Sequence, residues 1–418
     1  MAETPRGGPG HAWTFRVRFR KGAFGWRSGP AVTRVREAVR EIRKAARKDP
    51  LLGAEGAVLF LERVSPALER VDSSSGAIGN AVNRAIEELV PVIARAPADP
   101  ATREAWLERL FEAHAADAIP YIELLAEHWG ELCASQHLAS AWSDRLLPTT
   151  RMVLGADRAS RGFFHGTPAC LSALYHAERY EELVEVLQGE KFWHYRLWAV
   201  KALAALGRKV EAIRLAEASR GPWTSDLSVD RACEEILLGS GMAEEAYRRY
   251  GLRANRRGTY LATYRAVAGK YPDVEPRQLL SDLAESTPGE EGKWFAAAKD
   301  AGLYDEALAL ASRAPCDPRT LSRAARDLGD KQPTFAMEAG LLALHWLARG
   351  HGYEITTADV SEAVRRTLRA AERAGSREEI TTRIREIAER EGADELVART
   401  MRVLLRPSAD AGRPEPSP

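Results

Sequence analysis

Cysteine is scarce in this 418-residue chain: there are four, none in a CxxC pair. That excludes a disulfide scaffold, and a reducing, cytoplasmic setting is expected. Long apolar runs are missing too. No stretch approaches the roughly 18 residues needed to cross a bilayer, and Met1 to His11 offers no core for a signal peptide. Charge of one sign is also lacking. Lys+Arg (60) and Asp+Glu (59) leave a formal charge of +1, so the overall balance gives no argument for nucleic acid or membrane. Strand signals are nearly absent. Only Trp13-Thr-Phe-Arg-Val-Arg-Phe-Arg20 alternates apolar and polar residues, bounded by Gly22, Gly25 and Gly29, and it reads as one edge strand or an extended arm.

Catalytic signatures are missing as well. The chain holds no GxSxG elbow, no HExxH, no GxxxxGK[ST] and no strand-linked GxGxxG. The Gly-dense stretch Ser73 to Gly79 lacks both a following Lys and a preceding strand, so it reads as a Ser-capped helix start. Acidic groups such as Glu378, Glu379, Glu386 and Glu389 fall on solvated helix faces. His128, Cys133 and His137 lie close in sequence, as do His165, Cys170 and His176. A five-residue step turns about 140° round a helix, however, and neither cluster supplies two zinc-spaced pairs. Cys133 and Cys170 are expected as small buried hydrophobes, and no metal, cofactor or enzymatic activity is expected.

What the sequence does have is helical period. Apolar residues make up 45% of the chain and charged residues 28%, an ordinary balance for a packed protein. From Val32 to about Leu405 apolar residues recur every three or four positions, broken by Gly, Pro or Asp-Pro. Asp99-Pro100 and Asp317-Pro318 read as N-caps followed by proline in the first turn, and Thr287 to Glu290 has capping-box spacing. Helices are predicted over about 32–48, 51–63, 77–95, 101–116, 120–133 and 137–153. Trp106, Trp129, Trp142, Trp198 and Trp346 have Leu and Ala at helical spacing and are expected in the core. The fold is expected to be all-α.

Some of these helices repeat. Segments around Glu178, Gly207, Gly241 and Gly302 align, each with a residue five positions on (Leu183, Ala212, Ala246, Ala307) that packs the second helix on the first. Spacings of 29, 34 and 61 leave room for one degenerate unit near Gly269. Trp294 to Ala311, with its Gly302, Tyr304 and Ala307 and the later Pro315, resembles the tetratricopeptide repeat. The resemblance covers residues 165–315 and departs from the pattern at Glu178 and Val210. It implies an α-solenoid of helical hairpins with a curved protein-binding surface, and no chemistry. The expected organisation is a basic-aromatic arm (1–31), an N-terminal helical region (32–160), tetratricopeptide-like repeats (161–350), C-terminal helices (351–405) and a disordered tail (406–418).

Charge does cluster locally. Thirteen Lys/Arg against three acids give residues 1–48 a charge of +10, with Trp13, Phe15, Phe19, Phe24 and Trp26 interleaved. Arg36, Arg40, Arg43 and Arg47 recur at spacings of 4, 3 and 4 and so line one helix face. A second stretch carries Arg248, Arg249, Arg253, Arg256, Arg257, Arg265 and Lys270 with no acid between Glu245 and Asp273. Tyr247, Tyr250, Tyr260 and Tyr264 alternate with these cations. Cations ahead of a helix start oppose the macrodipole, which points to an anionic ligand. Arg/aromatic stretches of this kind suit phosphate contacts with base stacking, an acidic protein surface, or a solvated face. The expected role is a scaffold or adaptor with a protein partner. The alternative is a nucleic-acid-associated accessory protein.

Overall fold

The computed structural model describes residues 11–155 and 162–406. Among the described residues helix makes up 72% and no strand forms, while an isolated bridge joins Gly221 and Thr224. The chain divides into two compact units, Met1–Ile236 and Leu237–Pro418. That boundary falls inside the helix Asp226–Leu238 and within the stretch read as continuous repeats. Most of the proposed tail, 407–418, lies outside the described residues, as do residues 1–10 of the proposed arm.

Helix starts follow the sequence signals where a carboxylate precedes proline. Asp99 accepts from the Thr102 N–H at 3.0 Å, and Asp317 accepts from Arg319 and Thr320. The spacing at Thr287–Glu290 does not form a capping box. Gly289 turns the chain through a left-handed conformation (φ +84°), so the cap position falls on Glu290 and a 3₁₀ turn, Glu291–Trp294, leads into Phe295–Asp300. Thr287 instead accepts from the Trp294 indole N–H at 2.8 Å. A reciprocal box does form at Thr356 and Asp359.

The alternating stretch at the N-terminus is neither strand nor free arm. Thr14–Arg18 is a short helix, and Trp13, Phe15 and Phe19 are buried. Phe15 and Phe19 stand four residues apart, a helical spacing hidden inside the alternation, and both rings pack edge-on against Phe60. The Glu41 carboxylate accepts from the Thr14 N–H at 2.7 Å and the Phe15 N–H at 3.3 Å, satisfying the helix start. Trp13 lies on the bare backbone at Gly56, where a Cβ would come within 2.3 Å of the indole.

The core of the first unit continues through Trp129, Trp142 and Phe111, whose ring centroids are 5.1–5.6 Å apart. Trp106 and Trp198 are buried in the same core, as the sequence predicts. The second unit has a core of its own between Pro333–Ala348, Thr357–Arg373, Arg377–Glu389 and Glu395–Leu404. Trp346 is buried in that unit. No helix among the described residues is long and apolar enough to cross a membrane.

The aligned hairpins share one backbone solution. Glu178, Gly207, Gly241 and Gly302 all sit at positive φ, between 57° and 77°. In each case the following N–H reaches back five residues to Leu174, Leu203, Leu237 or Ala298, at 2.9–3.0 Å, a helix-ending turn that favours glycine. Leu183, Ala212, Ala246 and Ala307 are all fully buried. A further turn of the same kind, not found in the sequence, occurs at Gly375, with Ile380 buried five positions on. A glutamate stands four positions after every one of these turns: Glu182, Glu211, Glu245, Glu306 and Glu379. Each pairs with an arginine, such as Arg208 with Glu211 or Arg277 with Glu306. The unit near Gly269 differs: its helices Tyr260–Lys270 and Pro276–Glu285 join through Tyr271–Glu275, and Gly269 stays helical.

Candidate anion-binding pocket

The second arginine-rich stretch folds into a concave site within the C-terminal unit. After Ala243–Ala246 the helix widens into a π-helical turn over Tyr247–Gly251, then resumes over Leu252–Ala254. The wide turn is packed rather than loose. A side chain at Gly251 would press on the Tyr271 ring at 3.1 Å and on Tyr247 at 3.3 Å. Asn255 donates to the Gly251 carbonyl at 2.8 Å, satisfying an acceptor in the wide turn. Thr259 then caps Tyr260–Lys270, accepting from Ala262 at 3.1 Å, while the Arg257 N–H donates to Thr263 at 2.9 Å. The two helices and their rigid link thus turn Arg248, Arg249, Arg253, Arg256 and Arg257 toward one cavity of about 470 Å³.

No carboxylate is among the residues that line it. One wall is aromatic and apolar: Tyr247, Tyr260 and Trp294, with Leu252 and Leu283. Tyr247 donates to Asp282 at 2.5 Å, and burial together with that carboxylate pushes its phenol well above the usual range. Tyr260 donates to Glu290 and stands edge-on to Trp294 with ring centroids 4.7 Å apart. Lys293 lies over the Tyr260 ring at 5.6 Å and holds the Glu290 carboxyl below its usual range. Both hydroxyls are therefore committed, and the rings are fixed in place.

The arginines divide by what already holds them. Arg248 and Arg249 pair with Glu245, and Arg249 also donates to the Tyr250 hydroxyl at 2.8 Å. Arg256 and Arg257 are exposed and make no ion pair among the described residues. Tyr264 does not join the site. It is buried one turn beyond Tyr260, facing the core, where burial raises its phenol pKa. Trp294 and Leu283 belong to the site but carry no local basic signal. One cue was available for Trp294: it stands 34 residues after Tyr260, one hairpin repeat.

The other stripe belongs to the first unit. Arg36, Arg40 and Arg43 lie exposed on one face of Ser28–Ala46 and Arg47 is exposed at its C-cap, with Val35, Ala38, Val39 and Ile42 buried on the other face. Arg43 pairs with Glu88, and Arg40 donates to the Arg36 carbonyl at 3.3 Å. Cys133 and Cys170 are buried, and burial pushes their thiols up to about 12 and about 11. Among the described residues no group of three or more His, Cys, Asp or Glu is placed to hold a metal ion. No protein-family model matches the chain, and no curated protein is significantly similar to it.

Proposed function

We propose that this chain is a non-catalytic adaptor of tetratricopeptide-like helical hairpins, and that its arginine-tyrosine pocket holds an acidic segment of a protein partner. The observation that carries this reading is a cavity lined by five arginines and no carboxylate, walled by fixed aromatic rings. Guanidinium forks bind carboxylates in two-point geometry, and the apolar wall takes the stem or an aromatic neighbour of an acidic side chain. Nucleic acid is less favoured here, because the rings that would stack on bases are committed. Tyr260 is covered by Lys293 and abutted by Trp294.

The test is fluorescence anisotropy with a labelled Glu/Asp-rich peptide containing one tyrosine, against an oligonucleotide of equal charge. Peptide binding that weakens by about tenfold or more in Arg256→Ala/Arg257→Ala, with the oligonucleotide bound more weakly, supports the reading. Peptide binding unchanged by the double substitution overturns it.

A further inference from the structure

A second cationic groove lies in the C-terminal unit, between Pro318–Leu328 and Thr357–Arg373. Its volume is about 460 Å³, and it owes that room to its floor: Ala325 and Ala370 are buried small residues where longer side chains would fill the space. Arg366, Arg369 and Arg373 follow one face of the second helix at spacings of 3 and 4, and Arg326 looks across from the first. Arg369 is exposed and makes no ion pair among the described residues. Arg366 is three-quarters covered, and its guanidinium is held below the usual range, first by burial and then by the like charge of Arg326, while Asp327, paired with Arg326 at 2.6 Å, acts the other way.

Carboxylates close the row at both ends. Glu362 pairs with Arg366, and Asp330 pairs with Arg373. The open positive stretch between the levels of Arg366 and Arg373 is therefore roughly 10 Å long, at about 1.5 Å of rise per residue. That length admits one or two phosphoryl groups and excludes an extended polyanion.

We propose that this groove binds a compact phosphate dianion, through Arg326, Arg366 and Arg369. The site is separate from the arginine-tyrosine pocket and does not rest on the adaptor reading. The experiment is isothermal titration of the full chain at low salt with inorganic pyrophosphate and, in a second arm, with O-phosphoserine. Saturable binding, weakened by about tenfold in Arg369→Ala and largely kept in Arg369→Lys and in Arg256→Ala/Arg257→Ala, supports the proposal. Tighter pyrophosphate binding assigns the groove to a free diphosphate, and tighter phosphoserine binding assigns it to a phosphorylated side chain. Arg369 is exposed, so an unchanged melting temperature verifies that its variants fold. No saturable binding in the millimolar range, or binding lost in Arg256→Ala/Arg257→Ala but intact in both Arg369→Ala and Arg326→Ala, overturns it.

Discussion

Arg103 is a structural cation with no acid beside it. Its guanidinium is buried and donates to three carbonyls: Ile93 at 3.1 Å, Ala96 at 2.6 Å and Leu132 at 3.2 Å. Ile93 lies in the last turn of Ala77–Ala94 and Ala96 just beyond it, where carbonyls lack intrahelical donors and a cation is favourable. Arg103→Met keeps the apolar stem and strands all three acceptors, so a loss of about 3 kcal/mol is expected in urea denaturation. A loss under about 1 kcal/mol would show that the carbonyls find other donors. Nothing in the sequence separates Arg103 from the solvated arginines around it, because its partners are backbone carbonyls, which carry no residue signature, and Leu132 lies 29 residues away. His114 gives a pH test. Burial first, and His165 beside it, lower its pKa from 6.5 to about 4, so the folded state holds it neutral. A depressed histidine pKa gives stability that is complete above 6.5 and lost as pH falls toward 4. Wild type should lose on the order of 3 kcal/mol more than His114→Gln across that window. Parallel stability curves for the two proteins would refute the assignment.

At the scale of elements, the shared hairpin turn makes paired predictions of opposite sign. Glu178 adopts the left-handed conformation that glycine takes at Gly207, Gly241 and Gly302. Its side chain is exposed, so Glu178→Gly should relieve strain and raise stability by about 1 kcal/mol. Gly207→Ala should cost a similar amount, although open space surrounds the new Cβ, since the penalty is conformational. Thermal melts of both variants check this, and shifts of the same sign would contradict it. Ala212→Phe and Ala307→Phe should each cost about 1–3 kcal/mol, because both positions are fully buried where helices meet. Most of this layer was legible in the sequence, since caps, glycine turns and apolar period are local. The Glu four positions after each turn was equally visible, but its meaning needed the ion pairs. Where structure and sequence pattern differ, two local signals coincide: Phe15 and Phe19 satisfy both alternation and helical spacing, and Thr287–Glu290 has a box's spacing but Gly289 shifts the cap. Tyr264 shares a face with Tyr260, and only burial tells the two apart.

For the molecule as a whole, the question is why a chain of net charge +1 concentrates +10 in residues 1–48. Folding neutralises part of that charge. Arg18 and Arg34 share Glu37 at 2.9 and 2.6 Å, and Arg43 meets Glu88. Glu41 is occupied in capping Thr14–Arg18. Arg36, Arg40 and Arg47 remain exposed without ion pairs among the described residues. Exposed guanidiniums in a row attract polyanions at long range, and the attraction is screened by salt. A phosphate backbone held by such a row releases counterions, and log K falls with log salt by about 0.7–0.9 per contact. Four arginines therefore limit the slope to about 2.8 for single strands and about 3.6 for duplex. The expected result with single- and double-stranded oligonucleotides is weak binding that weakens further with salt. It should be lost in an Arg36/Arg40/Arg43/Arg47→Ala variant that melts like wild type. A steeper slope would require cations beyond the stripe. Equal binding by the variant would remove the stripe from nucleic-acid contact altogether, leaving those arginines to an acidic protein surface, the class of partner proposed for the arginine-tyrosine pocket.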